Sequence, residues 1–395
     1  MNNNIKNINS IAVIGAGTMG HEIAQVILMA GFNSVILHDL KEEILKNAAK
    51  KINYGLTRLE SKGRLKEGYK ASNLMEHLHL ESDFKRAVSN ADFVFEAIPE
   101  IMTLKQELFA KLGKFTSNST ILATNTSTMS ITEIASSSNK TDKVIGTHFF
   151  TPIVVLRLIE IIKGKDTSEE TVKITKAVCE KLPALRGKRF LPVLQKESPG
   201  FIVNRLTIGS NLYLNWLLDY AYVNEIPLEE IDADTKNLME LGPYARWDYL
   251  GLDVIYNVFK YFEKTVSPDF KPGKILKEKV DKGYLGRKTQ KGLFNWSEGK
   301  PLIKKDKKAG LFNLELYMAI QLNEGCKLIE EGIVSGYKII DETMLAGMDT
   351  PGPFGAGKKN YTRWSNMLEE FVKVSKLSYL KPIKLMKSGG FIKMR

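Results

Sequence analysis

Ser10-Ile-Ala-Val-Ile-Gly-Ala-Gly-Thr-Met-Gly20, continued by His21-Glu-Ile-Ala-Gln-Val-Ile-Leu-Met-Ala-Gly31, decides how this chain reads. Residues 11 to 14 are a short apolar run, long enough for a buried strand and too short for a helix. Gly15, Gly17 and Gly20 follow at once in the spacing G-x-G-x-x-G. Ile23, Ala24, Ile27 and Leu28 then recur at helical spacing up to a stopping Gly31. Gly15 permits a tight turn, Gly17 lets backbone approach a pyrophosphate, and Gly20 lets the helix pack on the strand. The helix start, with Thr18 and Met19, offers N–H groups and a positive dipole end to phosphate oxygens.

A G-x-G-x-x-G alone is weak, but this one stands between a strand and a helix, the context the motif requires. A second strand, residues 34 to 38, ends at Asp39, nineteen residues past Gly20. An acid there accepts hydrogen bonds from an adenosine ribose and repels a 2′-phosphate, which favours NAD over NADP. Asp39 could also cap the next helix.

Composition narrows the classes. The chain has 395 residues, 43% hydrophobic and 26% charged, which is ordinary for a globular protein of two or three domains. No apolar run approaches bilayer length, and residues 1 to 6 lack a signal-peptide core, so neither membrane nor secretion is expected. Cys179 and Cys326 are far apart and have no metal-like pairing, which fits a reducing cytoplasm. With five histidines, no metal site is expected. The net charge of +12 reads as solvated surface or as attraction for a polyanionic small molecule such as a nucleotide or coenzyme A. Dispersed lysines and the lack of a recognition motif argue against nucleic acid.

Beyond Asp39, residues 42 to 62 form a long amphipathic helix, with Lys50, Lys51, Arg58 and Lys62 on its exposed side. Strands follow over residues 90–100, 121–127, 143–148 and 156–162, and a helix over 103–114. Glu96, Asn125, Ser127 and His148 fall at strand ends. The alternation predicts an α/β Rossmann domain with a mostly parallel sheet and ligands at the strands' carboxyl ends. From Pro199 onward strand signals vanish and an all-α region is expected. That region repeats itself. Gly242-Pro243 recurs as Gly352-Pro353 and Lys271-Pro272 as Lys381-Pro382, both 110 residues on, and Ile231-Asp232 recurs as Ile340-Asp341 after 109. The predicted organisation is residues 1–190 as the nucleotide-binding domain, 191–297 as a helical substrate or dimerisation domain, and 300–395 as a second, degenerate copy.

His148 ends one strand and Glu160, twelve residues on, lies in the next. A strand pair can join them, and imidazole with a carboxylate partner is a natural general base near neutral pH. A histidine at a strand end is also a common structural feature.

Five motifs together resemble the 3-hydroxyacyl-CoA dehydrogenase family over residues 10 to 297. They are Gly15-Ala-Gly-Thr-Met-Gly20, Asn125-Thr-Ser127, His148-Phe-Phe-Thr-Pro152 with Glu160, Ser198-Pro-Gly-Phe-Ile-Val-Asn-Arg205, and Gly286-Arg-Lys-Thr-Gln-Lys-Gly-Leu-Phe-Asn-Trp296. Residues 300–395 look like the second C-terminal domain of larger multifunctional members.

The resemblance implies that His148 takes the proton of a substrate 3-hydroxyl, Glu160 holds His148, and Ser127 and Asn204 hydrogen-bond the reacting oxygen. Hydride passes between substrate C3 and the nicotinamide of NAD. Glu100, Lys105, Asn125, Thr151 and Lys288 match cofactor positions, and Lys62, with Arg58 one turn earlier, matches a contact to coenzyme A. Two departures stand out. Thr151 replaces the family's Asn, and the first Gly-Pro-Phe turn is reduced to Gly242-Pro-Tyr244. The implied partner is an acyl-CoA, in fatty-acid metabolism. Rival readings are a sugar-acid dehydrogenase sharing the catalytic pair and a nucleotide-binding protein without activity. The two helical copies are expected to pack as an internal pseudo-dimer.

Overall fold

Ser10–Ile14 forms β1, and every residue after the first is buried. The helix predicted next is α1, Thr18–Met29. In the computed structural model, which describes residues 8–235, 241–303 and 306–395, these two elements open an eight-stranded sheet. Residues 1 to 6, on which the expectation about a leader rests, lie outside the described residues. The strands after β1 are β2 Ser34–His38, β3 Leu78–Glu81, β4 Phe93–Glu96, β5 Ile121–Thr124, β6 Val144–Phe149, β7 Ile159–Lys163 and β8 Val193–Leu194. Their order is β3-β2-β1-β4-β5-β6-β7-β8. All neighbours are parallel except β6 and β7. The order reverses between β1 and β4, and in sheets of this kind a ligand sits at that switch point, outside the carboxyl ends.

The helices before Val203 are α1, α2 (Glu42–Glu60), α3 (Ala71–Glu76), α4 (Phe84–Val88), α5 (Met102–Phe115), α6 (Ile131–Ala135) and α7 (Glu169–Lys181). One apolar stripe of α2, made of Leu45, Ala48, Ile52, Leu56 and Leu59, joins α1 and β1 in the core. The first unit runs to Val203 and also takes in Gly332–Val334 and Ile339–Gly352. That later return was not expected. It brings Gly347 against Leu158, where a methyl group on Gly347 would lie 2.4 Å from a leucine carbon, and pairs Asp349 with Arg186 at 2.8 Å.

The second unit comprises Asn204–Glu331, Ser335–Lys338 and Pro353–Arg395. The remaining helices are α8 Val203–Val223, α9 Leu228–Asp234, α10 Pro243–Leu250, α11 Leu252–Thr265, α12 Lys274–Asp281, α13 Leu314–Glu330, α14 Tyr337–Met348, α15 Pro353–Ser375 and α16 Lys384–Lys387. Strand-like pairing does recur after Pro199, as isolated bridges joining Gly286, Lys291 and Asn295. Contacts recur close to the repeat offset as well, around two asparagines 108 residues apart. Asn215 accepts from the Gly273 N–H at 2.9 Å and donates to the Lys271 carbonyl. Asn323 accepts from the Ile383 N–H at 3.0 Å and donates to the Lys381 carbonyl. A methyl on Gly242 would collide with Asp232, and one on Gly352 with Asp341. Among the described residues, no helix is long and apolar enough to cross a membrane.

Candidate active site

The glycine turn is built by backbone crowding. Gly15 has φ +98° and stands so close to Ala97 that a methyl group would lie 2.6 Å from its carbonyl oxygen. A methyl on Gly20 would lie 1.7 Å from the Gly15 carbonyl oxygen. Gly17 is different, because nothing lies within 4 Å of the space its side chain would take. No group of the protein demands glycine there. The open space lies at the start of α1, where helix geometry leaves N–H groups without intrahelical acceptors. Gly17 and Thr18 are exposed, and Met19 is half-buried behind them. This cradle fits a dinucleotide pyrophosphate.

Asp39 follows β2 and accepts from the Ala16 N–H at 3.0 Å, which ties the glycine turn to the carboxyl end of that strand. It does not cap α2, whose N-cap is Lys41. Toward α2, among the described residues, Asp39 accepts a long 3.3 Å bond from the Lys41 N–H.

Across the switch point a buried ion network braces the strand ends. Glu96 and Lys105 are almost wholly buried. Glu96 accepts from Lys105 Nζ at 2.6 Å, from the Ile98 N–H at 2.8 Å and from the Thr124 hydroxyl at 2.5 Å. Lys105 also reaches Glu100 at 3.2 Å. Glu100 accepts from the Thr126 hydroxyl at 2.6 Å and the Ser127 N–H at 2.8 Å. Burial pushes the Glu100 carboxyl up, but the Lys105 ammonium and these hydrogen bonds outweigh it and hold the group below its usual range. The same carboxylates outweigh the desolvation of Lys105 and raise it. Lys105 is therefore engaged by two carboxylates and braces the turn that carries Asn125 and Ser127. Asn125 accepts from the Phe149 N–H at 2.9 Å, and the Ser127 hydroxyl lies 3.3 Å from Glu100. Glu96, absent from the predicted site, is the hub of this network.

His148 and Glu160 face each other directly in the antiparallel register of β6 and β7. Nδ1 of His148 lies 2.7 Å from Oε2 of Glu160, with 6% of the histidine and none of the glutamate exposed. The carboxylate selects the tautomer with the proton on Nδ1, leaving Nε2 to exchange a proton. The other oxygen of Glu160 accepts from the N–H groups of Ile202 and Val203 at 3.0 and 3.2 Å. Phe150 and Phe201 pack on the imidazole, with ring centroids 4.3 and 5.7 Å away. Thr151 is exposed, and its hydroxyl lies 3.0 Å from the sulfur of Met19, joining the segment after His148 to the start of α1. Glu22 of α1 adds a second tie, accepting from the Ile153 N–H at 2.6 Å.

Arg58 and Lys62 are exposed in and just beyond the last turn of α2. The two remaining predicted residues belong to the second unit. Asn204 lies in the first turn of α8, and Lys288 pairs with Asp253. The closing motif around Lys288 is organised by Asp248, which the sequence did not reveal. This buried carboxylate accepts from the N–H groups of Leu293 and Phe294 and from the indole of Trp296, at 2.8 to 2.9 Å. Among the described residues no cluster of His, Cys, Asp and Glu could hold a metal ion.

Residues 10–189 match the profile of the 3-hydroxyacyl-CoA dehydrogenase NAD binding domain, and residues 200–296 match that family's C-terminal domain. The chain belongs to the 3-hydroxyacyl-CoA dehydrogenase family. Its cofactor is NAD, and its class is that of oxidoreductases acting on a CH–OH group. A probable 3-hydroxybutyryl-CoA dehydrogenase of Deinococcus radiodurans is 33% identical over 72% of this chain and 99% of its own length. The mitochondrial hydroxyacyl-coenzyme A dehydrogenase of Rattus norvegicus is 35% identical over 73% of this chain and 91% of its own. Each leaves more than a quarter of the chain unmatched, and the family's C-terminal profile ends at residue 296. In fold, the crystal structure of 3-hydroxybutyryl-CoA dehydrogenase from Escherichia coli aligns with 98% of this chain and 99% of its own, at a TM-score of 0.82 and 23% identity. The likeness of fold therefore extends past Trp296.

Proposed function

We propose that the chain catalyses the reversible oxidation of (S)-3-hydroxyacyl-CoA thioesters, such as 3-hydroxybutyryl-CoA, to 3-ketoacyl-CoA in acyl-CoA metabolism. The observation that carries the reading is the buried His148–Glu160 pair at the carboxyl end of the sheet. Bound NAD supplies the hydride acceptor, or the donor in reverse. His148 accepts the 3-hydroxyl proton at Nε2, and Glu160 offsets the imidazolium charge that results. Ser127 and Asn204 hydrogen-bond the substrate oxygen as its charge changes. The glycine turn, Thr18, Met19, Asp39, Asn125 and Thr151 line the cofactor. Glu100 and Lys105 hold the turn beneath it, and Lys288 contributes from the closing motif. Arg58 and Lys62 offer exposed cations to the phosphates of coenzyme A. The proposed domains are residues 1–190, 191–297 and 300–395, the last two packed as an internal pseudo-dimer. This division is supported by the contacts that recur close to the repeat offset. The two unpaired cysteines suit a cytoplasmic setting.

The test is acetoacetyl-CoA-dependent oxidation of NADH. His148→Gln is expected to lower kcat by about 10²–10⁴-fold while NADH still binds, and Glu160→Gln to lower it as well. Near-native turnover by His148→Gln would overturn the assignment of the base.

A further inference from the structure

Arg205 follows Asn204 in the first turn of α8 and is 4% exposed. A guanidinium removed from water needs carboxylate partners on its donor edges. Two carboxylates that pair with it come from α13 and the residue that follows it, beyond the stretch that the family's C-terminal profile matches. Arg205 Nε lies 3.0 Å from Glu324, and its Nη2 lies 2.8 Å from Glu331. Glu324 is itself wholly buried and accepts from Lys327 Nζ and the Tyr379 hydroxyl, each at 2.6 Å. The backbone N–H of Tyr379 in turn donates to Asp269, also at 2.6 Å. Among the described residues, Arg205 and Lys327 thus face Glu324 and Glu331.

The first turn of a helix lacks half of its backbone bonds and is where helices fray. Asn204 and Arg205 are neighbours there, about 100° apart around the axis at 3.6 residues per turn. Pinning the guanidinium on two edges fixes the rotation and height of the turn that carries the Asn204 side chain. We infer that Glu324 is a positioning residue for the dehydrogenase reaction, holding Asn204 in register through Arg205. The last quarter of the chain thereby supplies part of the framework of the active site. The inference rests on the role of Asn204 proposed above. It gives residues beyond 300 a part in turnover in addition to their part in folding.

The experiment is a double-mutant cycle on the full-length enzyme, with Glu324→Gln, Asn204→Ala and both together. It reads kcat for acetoacetyl-CoA reduction and the Kd of NADH. A displacement of about 1 Å at a reacting group costs on the order of 10²-fold in rate. Glu324→Gln is therefore expected to lower kcat by about that factor, with the Kd of NADH unchanged. In the Asn204→Ala background it should add no more than about threefold, because residues acting as a unit are not additive. If Glu324→Gln multiplies the Asn204→Ala loss in full, or leaves kcat at the wild-type value, the inference fails while the role of Asn204 stands. If Asn204→Ala alone keeps wild-type kcat, that role fails and the inference with it. Tyr379→Phe removes one hydroxyl from Glu324 and no charge. It carries the same cycle should Glu324→Gln not fold, with a smaller loss that must likewise vanish in the Asn204→Ala background.

Discussion

Asp39 shows how one side chain serves the backbone and a ligand at once. Its Oδ2 fixes the Ala16 N–H in the glycine turn, and its remaining lone pairs lie at the end of β2, where a ribose binds in this fold. Asp39→Ala should reduce the preference for NADH over NADPH in kcat/KM by one to two orders of magnitude. A hydrogen bond to a charged group contributes about 1.5–3 kcal/mol, and the repulsion of a 2′-phosphate is lost with the charge. Steady-state kinetics with both cofactors check this, and an unchanged ratio would remove Asp39 from cofactor selection. The absolute efficiency with NADH should fall too, since Ala16 loses its acceptor. This residue was legible in the sequence because its spacing from Gly20 is local. Glu96 was legible only as a strand end, and Lys105 as a helix residue that matches a cofactor position through the family resemblance. Their mutual burial depends on how α5 returns over the sheet, which no spacing shows. Asp248 escaped for a related reason, since its partners lie more than forty residues away.

At the scale of elements, the strand–turn–helix unit that opens the chain separates glycines needed by the fold from the glycine needed by the ligand. Gly20→Ala drives a methyl into the Gly15 carbonyl and should prevent stable folding, visible as a lost or much lowered melting transition. Gly17→Ala meets no atom of the protein, so its melting temperature should match that of the native chain. Its Kd for NADH should rise by at least about tenfold, because the methyl fills the space that a pyrophosphate needs. Calorimetric titration beside a thermal scan distinguishes the two variants. A Gly17→Ala enzyme with native affinity would mean that the cofactor does not approach this turn. The β6–β7 pairing was legible for a different reason. His148 and Glu160 stand twelve apart across a turn, and only an antiparallel register brings them face to face. The return of α14 to the first unit was not legible. Its apolar positions state that a face is buried but not against which neighbour, and Leu158 precedes Gly347 by nearly half the chain.

At the scale of the whole molecule, the second unit is built from residues on both sides of position 300. Tyr213, 2% exposed, donates to the Leu311 carbonyl and packs edge-on against Phe371, which also meets Trp216. Asp234 accepts from the N–H groups of Gly310, Leu311 and Phe312. Phe270 packs on Tyr379 at 4.9 Å, and Arg205 depends on Glu324 and Glu331. Leu322 and Leu328 of α13 are fully buried, whereas Leu314 at its start is 38% exposed. A covalent tether gives the later helices a high effective concentration beside the earlier ones, so they should exclude a separate subunit from this face. Cutting the chain after about residue 298 removes every one of these partners. It leaves Tyr213, Trp216 and Phe270 facing water as one apolar surface, together with a guanidinium that has lost Glu324 and Glu331. Breaking a buried pair in this way costs about 3–5 kcal/mol, and apolar patches of this kind drive association. The truncated chain should therefore dimerise or aggregate, whereas the full chain keeps this face covered. Light scattering on both chains, with turnover measured in parallel, is the check. A truncated chain that stays a soluble, active monomer would rule out the pseudo-dimer. Dimerisation of the full chain would not, since a surface outside this face could still pair.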